Sequence, residues 1–179
     1  RKKDWTHAEE VLLKYRPLFI NHEPPHDTTA IDSIINILHR PWRDLIIEKL
    51  PPHVNTNADE YLPRLDLDGT TMYFTGDNRQ GGLGGEDVFR TKFNTHTGKW
   101  SNPLCLPKPV NTKNGNEGAL AISPDGSTLL VYGTYSDKDA RGNLYTIEKY
   151  PGGWGKPTPL PDIINSEDFD AGGFFTYDG

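Results

Sequence analysis

The chain has 179 residues, with 19 basic and 25 acidic side chains and a formal net charge of −6. With no Lys/Arg cluster beyond Arg1-Lys2-Lys3, that balance argues against gripping a phosphate backbone, so nucleic acid is not an expected partner. No run approaches the roughly 18 apolar residues of a membrane span and no apolar signal core opens the chain, so a soluble chain is expected, with any targeting peptide absent and any membrane association supplied by partners or by missing regions.

The first forty residues read as helical. Thr6-His7-Ala8-Glu9 has capping-box spacing, and Val11, Leu12, Tyr15, Leu18 and Phe19 follow at helical intervals, which predicts a helix over 7–19. Pro24-Pro25 interrupts it. Ile31, Ile34, Ile35 and Leu38 then share one face of a second amphipathic stretch that Pro41 ends. Two short helices bury too little to form a core alone, so residues 1–41 are expected to pack on the repeat-bearing segment or to belong to a larger helical domain. His22-Glu23-Pro24-Pro25-His26 spells a zinc-protease pattern, but that chemistry needs both imidazoles one helical turn apart. The paired prolines oppose that geometry and no third ligand is evident, so an exposed linker is expected.

From residue 54 the hydrophobic period becomes two, and the segment is repeated. Val54-Asn55-Thr56 returns as Val110-Asn111-Thr112 and again as Ile164-Asn165-Ser166, at offsets of 56 and 54 residues. Asp68-Gly69, Asp125-Gly126 and Asp178-Gly179 keep phase as turn markers, while Trp42, Trp100 and Trp154 precede each new copy. Within the first copy, an alternating run at 61–67, the Asp-Gly turn and a β-rich run at 71–75 read as a hairpin. A glycine-rich loop (Gly81-Gly82-Leu83-Gly84-Gly85), a third strand at 87–93, a turn at 94–98 and a last strand from Lys99-Trp100 complete it. The second copy repeats the order, with strands at 120–122, 128–132 and 143–147 and a last one at Trp154. Four antiparallel strands per unit predict an all-β chain of propeller blades, at 54–109 and 110–163, with a third beginning at 164.

These residues resemble the WD-like β-propeller repeats of bacterial envelope proteins, related to the propeller of TolB and often coupled to helical-repeat or OmpA-like modules. Carrying the likeness are Ser123-Pro124-Asp125-Gly126-Ser127-Thr128-Leu129, the stretch 81–89, Gly98-Lys99-Trp100-Ser101-Asn102-Pro103, and the Leu-Pro then Val-Asn-Thr junction at 106–112. It covers residues 42–179. It implies a periplasmic or outer-membrane-associated setting and a binding or scaffolding role, with no catalytic set to carry over. The second copy departs from the pattern, since residues 135–141 replace the glycine-rich loop and Asn143 stands where Asp87 does.

The repeat markers Asp68, Gly69, Asp87, Trp100, Asp125, Gly126, Asn143 and Trp154 have architectural explanations. Aspartates cap the amides of their own turns while the following glycine takes positive φ, and tryptophans pack between blades. Cys105 stands alone between leucines, which excludes an internal disulfide and favours a buried thiol over a nucleophile. The glycine-rich loop lacks the Lys-Ser/Thr ending of a phosphate loop. Asp66 and Asp68 share a strand face, a geometry that would suit calcium with loop carbonyls, but no complete oxygen-ligand loop follows. Glu86/Asp87 and Glu167/Asp168/Asp170 are further carboxylate groups, but nothing selects an acid/base pair. No catalytic residue, metal or cofactor is therefore expected. The alternatives are a polysaccharide-degrading or lyase-type propeller enzyme and a structural spacer.

The candidate partner-binding residues are Asn78, Arg79 and Gln80, with Tyr135 and Arg141 in the second copy. They are expected to meet a protein or cell-wall component, with Arg79 presenting a fork at a polar loop tip. Pairing of Arg79 with Glu86 or Asp87 at the rim is the architectural alternative. On the exposed reading, Arg79→Ala and Gln80→Ala weaken capture while changing stability by less than about 1 kcal/mol. Residues 42–50 resemble a last strand of a preceding blade, and two blades cannot close a ring, so a part of a longer protein is expected, with 171–177 as an isolated outer strand or paired with another chain.

Overall fold

The computed structural model describes residues 5–22, 27–40, 46–135, 141–170 and 172–176. It divides into a helical unit, Arg1–Glu48, and a β unit, Lys49–Gly179. The His22 to His26 motif, the strand expected around Trp42, most of the second-copy loop and the turn at Asp178-Gly179 lie largely or wholly outside the described residues.

The helical unit is a pair, α1 (Trp5–Ile20) and α2 (Thr29–Leu38). Thr6 sits inside α1 rather than capping it, and Pro17 is accommodated within the helix. The pair is tied by polar contacts: Arg16 forks onto Asp32, with Nη2 at 2.8 Å from Oδ2, and His39 meets Glu9. The Arg16 guanidinium holds the Asp32 carboxyl below its ordinary range. Core is scarce, because Ile35 is the one buried residue of α2 and α1 has none. No helix among the described residues is long and apolar enough to cross a membrane.

The β unit is two antiparallel sheets of like design. In the first, β1 (Asp59–Leu65), β2 (Thr71–Asp77) and β3 (Glu86–Asn94) form a meander, and two short pieces, β4 (Lys99–Trp100) and β5 (Leu104–Cys105), both pair with β3. In the second, β6 (Glu117–Ile122), β7 (Thr128–Gly133) and β8 (Asn143–Tyr150) are followed by β9 (Gly153–Trp154) and β10 (Thr158–Pro159), both on β8. The expected fourth strand thus exists in two pieces. Pro103 and Pro157 fall in the gaps, and neither has an amide to donate to the ladder.

Turn chemistry sets the hairpins. Asp68 Oδ1 accepts the Thr70 amide at 2.8 Å and Asp125 Oδ1 accepts the Ser127 amide at 3.0 Å, while Gly69 and Gly126 take φ of 72° and 70°. A side chain in that left-handed region is strained, so glycine fits.

Strand alternation then gives each sheet two apolar faces. Met72, Phe74 and Phe89 point one way with Val54, and Tyr73 and Val88 point the other. The second sheet turns Leu129, Val131, Tyr145 and Ile147 toward Tyr73 and Val88, and Leu130, Tyr132 and Leu144 away from them. Strand β6 packs across β1, β2 and β3, so the sheets stack face to face as neighbouring propeller blades do. Val88, Val110, Leu129, Val131 and Ile147 are fully buried in this seam, each worth about 1.5–3 kcal/mol. Polar contacts cross it too. Thr75 Oγ1 accepts the Ala119 amide at 3.1 Å, and Arg64 donates to the Leu120 carbonyl at the β6 bulge. The β unit is an all-β, incomplete propeller-like arc. Residues 172–176 form no strand, and Gly173 lies against Leu130, on the second sheet's outer face.

Candidate functional site: the blade rim and its cleft

The repeated Asn is a backbone staple. Asn111 accepts the Val88 amide at 2.8 Å and donates to the carbonyls of Val88 at 2.9 Å and Leu106 at 2.7 Å. Asn165 repeats this on Leu144 and Leu160, at 2.9, 3.0 and 3.0 Å. Each staple fastens the next repeat to the third strand of the blade before it. An acid follows every copy: Glu60 accepts the amide and hydroxyl of Thr56, Glu117 those of Thr112, and Asp170 those of Ser166.

The residues after the second strand close this clamp from above. Arg79 Nη1 donates to the Val54 carbonyl at 2.9 Å and Nη2 to that of His53 at 2.7 Å, and Nη1 also meets Glu60. Tyr135, in the second copy, donates its hydroxyl to the Val110 carbonyl at 2.7 Å. Both stand 25 residues after the carbonyl they satisfy. The rings of Phe74 and Phe89 lie under the guanidinium of Arg79, 5.4 and 5.2 Å away, and Tyr135 meets Tyr145 edge-on at 4.7 Å. Glycine makes this possible, because a Cβ on Gly76 would strike Arg79 and one on Gly133 would strike Tyr135.

That substitution of Tyr for Arg has an electrostatic consequence. Glu60 is paired with a cation, whereas Glu117 is fully buried and is held by the amide and hydroxyl of Thr112. Burial pushes the Glu117 carboxyl up to about 7 against the pull of the Thr112 bonds, with Asp87 and Glu86 adding repulsion. Asp87 is buried as well: Oδ2 accepts the Leu83 and Gly84 amides at 2.7 and 3.0 Å, and Oδ1 has no partner among the described residues. Glu86 accepts the Tyr61 hydroxyl, and Tyr132 reaches the same pair from the second blade. The Tyr132 ring crosses Gly118, where a Cβ would sit 2.0 Å from it. Burial first, and Glu86 second, raise both phenols above their ordinary range, so they act as donors.

Outside this network lies a cleft of about 560 Å³ lined by Thr56, Asn57, Ala58, Asp59, Asp77, Asn78 and Gln80. It is built where β1 begins and β2 ends. Asp59 and Asp77 are register partners, so their side chains share one face of the sheet. Asn78 adopts φ of 49°, donates its amide to the Gly85 carbonyl at 2.7 Å and its Nδ2 to Asp77 Oδ1 at 2.8 Å. Asn57, Asp59 and Gln80 make no side-chain hydrogen bond among the described residues.

Of the five candidate contact residues, the structure brings Asn78 and Gln80 into this cleft, both exposed. Arg79 between them is 9% exposed, which corrects the expectation of a fork at the loop tip. Its pairing partner is Glu60, not the Glu86 or Asp87 of the architectural alternative. Tyr135 is engaged below the rim. Arg141 is exposed and pairs with Asp168 at 2.8 Å. Among the markers, Trp100 packs on Phe93 at 5.2 Å and Trp154 meets Tyr73 of the other blade edge-on at 6.0 Å, while Asn143 pairs with Gly133 as Asp87 does with Gly76. Asp66 accepts the Thr70 and Thr71 amides, both at 2.9 Å. Burial raises the half-buried Cys105 thiol, which keeps it protonated and a poor nucleophile. No group of three or more His, Cys, Asp or Glu among the described residues is placed to hold a metal ion.

Asn57, Asp59 and Asp77 carry no pattern in the sequence and come together only when the strands pair. The clamping acids did carry a signal, an acid four or five residues after each Thr or Ser of the repeat.

No family model matches this chain, and no curated protein does. Among solved structures it is similar to TolB from Acinetobacter baumannii, with a TM-score of 0.40 and 18% sequence identity over 66% of this chain and 24% of that one. The chain thus spans about a quarter of that protein's length. The two stacked sheets themselves define the fold as propeller-like.

Proposed function

We propose that this chain is a non-enzymatic interaction module of a bacterial envelope assembly, binding a protein or cell-wall partner through the rim beside the loop at 77–85. One observation carries the reading: in the cleft, Asn57, Asp59 and Gln80 are unengaged, whereas Arg79, Tyr135 and Glu60 of the same rim are committed to the fold. Convergent, unsatisfied polar groups in a concave surface are what a recognition site offers. Within the cleft no pair of carboxyls sits in contrasting environments of the kind acid/base catalysis needs, since Asp59 and Asp77 both reach solvent. The periplasmic or outer-membrane-associated setting rests on the resemblance of the repeats.

The test compares the protein with its Asn57→Ala/Gln80→Ala variant as bait in envelope extracts. The expected result is a discrete partner, identified by mass spectrometry, that the parent enriches and the variant loses. Equal recovery by both, or turnover of a defined glycan by the protein recovered alone, would overturn the reading.

A further inference from the structure

We propose that the rim cleft docks an extended, basic peptide segment of a protein partner, with Asp59 and Asp77 receiving one lysine or arginine and the amides of Asn57, Asn78 and Gln80 pairing with the peptide main chain. The inference rests on the proposed binding role and specifies its chemistry. Charge complementarity selects the ligand. Asp59 and Asp77 face each other across the β1–β2 ladder, which places their Cβ atoms roughly 4.5–5.5 Å apart, within the span of a single ammonium or guanidinium. Like charges directly opposite repel, and no cationic side chain lines the cleft to offset them. The nearest in sequence, Arg79, is turned inward onto Glu60 and the carbonyls of His53 and Val54. Asn78 occupies one Asp77 oxygen and leaves the other open.

The remaining lining suits main chain. A carboxamide offers one acceptor and two donor hydrogens, so Asn57 and Gln80 match the alternating N–H and C=O of an extended peptide. The cleft has no aromatic platform on which a sugar ring or a base would stack, since its lining is Thr, Asn, Ala, Asp and Gln. Its volume of about 560 Å³ accommodates one long side chain with its flanking peptide groups.

The test is a two-dimensional amide NMR titration of the 179-residue chain with three probes: an acetylated and amidated Ala-Lys-Ala-Lys-Ala peptide, its glutamate counterpart, and tetra-N-acetylchitotetraose. The lysine peptide is expected to shift the signals of Asn57, Asp59, Asn78 and Gln80. Binding should weaken about tenfold in Asp59→Asn/Asp77→Asn, and further as salt rises toward ~0.5 M. Gln80→Ala, an exposed loop change, should weaken it as well, and an unchanged spectrum elsewhere certifies both variants as folded. Each of these results would overturn the inference: equal or stronger shifts with the glutamate peptide or the chitotetraose, lysine-peptide shifts scattered over the surface, or unchanged binding by the double aspartate variant. Partner capture that depends on Asn57 and Gln80 without any lysine-dependent shift overturns the basic-peptide chemistry and leaves the binding reading standing.

Discussion

Arg79 shows how far one side chain's role depends on which way it turns. Its neighbours Asn78 and Gln80 face the cleft, while its guanidinium is buried against Glu60, two carbonyls and two phenyl rings. Removing it takes the cation from the half-buried Glu60 carboxylate, which keeps its Thr56 bonds, and the donors from the Val54 and His53 carbonyls, a loss of about 2–3 kcal/mol. Arg79→Ala should therefore lower the denaturant midpoint strongly, and a change below about 1 kcal/mol would restore it to the surface. Asn111 offers a second residue-scale test. Asn111→Ala leaves the Val88 amide and carbonyl without their side-chain partner, so a cost of about 2–3 kcal/mol is expected. Amide hydrogen exchange at Val88 should accelerate in parallel, and undiminished protection there would show that the staple is dispensable.

At the scale of elements, the two clamps differ in charge. Glu117 titrates from an ordinary 4.5 in the unfolded chain to about 7 in the fold. Between those values the folded protein keeps a proton that the unfolded chain has released, so stability falls as pH rises from about 4.5 to about 7 and levels off above. Urea midpoints measured across that range should decline, and Glu117→Gln should flatten the decline; an unchanged slope in the variant would assign it to other groups. Asp125 works in the opposite direction. Hydrogen bonds from Ser123 and Ser127 hold it down to about 2, so its contribution is present above the ordinary carboxyl range and disappears as pH falls through about 2.

For the β unit as a whole, the shared seam decides cooperativity. Val110, Tyr73 and Leu129 belong to the junction, the first blade and the second blade, and they occupy one cluster. Neither blade can expose its inner face without the other doing so. The Tyr132 and Trp154 bridges add to this. A single unfolding transition is expected for Lys49–Gly179, with tryptophan fluorescence and strand circular dichroism coincident. Two resolved steps would show that each sheet is stable alone.

Much of this architecture is local enough to be written in the chain. The period-two runs, the Asp-Gly turns and the recurrence of Val-Asn-Thr marked strands, hairpins and repeats, because each depends on residues within a few positions of one another. Helix existence was equally legible, although the start of α1 did not obey its capping box. The direction of Arg79, the pairing of Asp59 with Asp77, and the loss of a cation beside Glu117 were not. Each is settled by groups 18 to 26 positions away, brought together only when strands pair and glycines at 76 and 133 open room for a side chain to fold back. Sequence by itself determined the strands, their order in each sheet and the turns between them. Tertiary structure alone decided which polar residues were drawn into the seam and which were left facing the cleft, because burial and charge pairing depend on neighbours that local spacing does not specify.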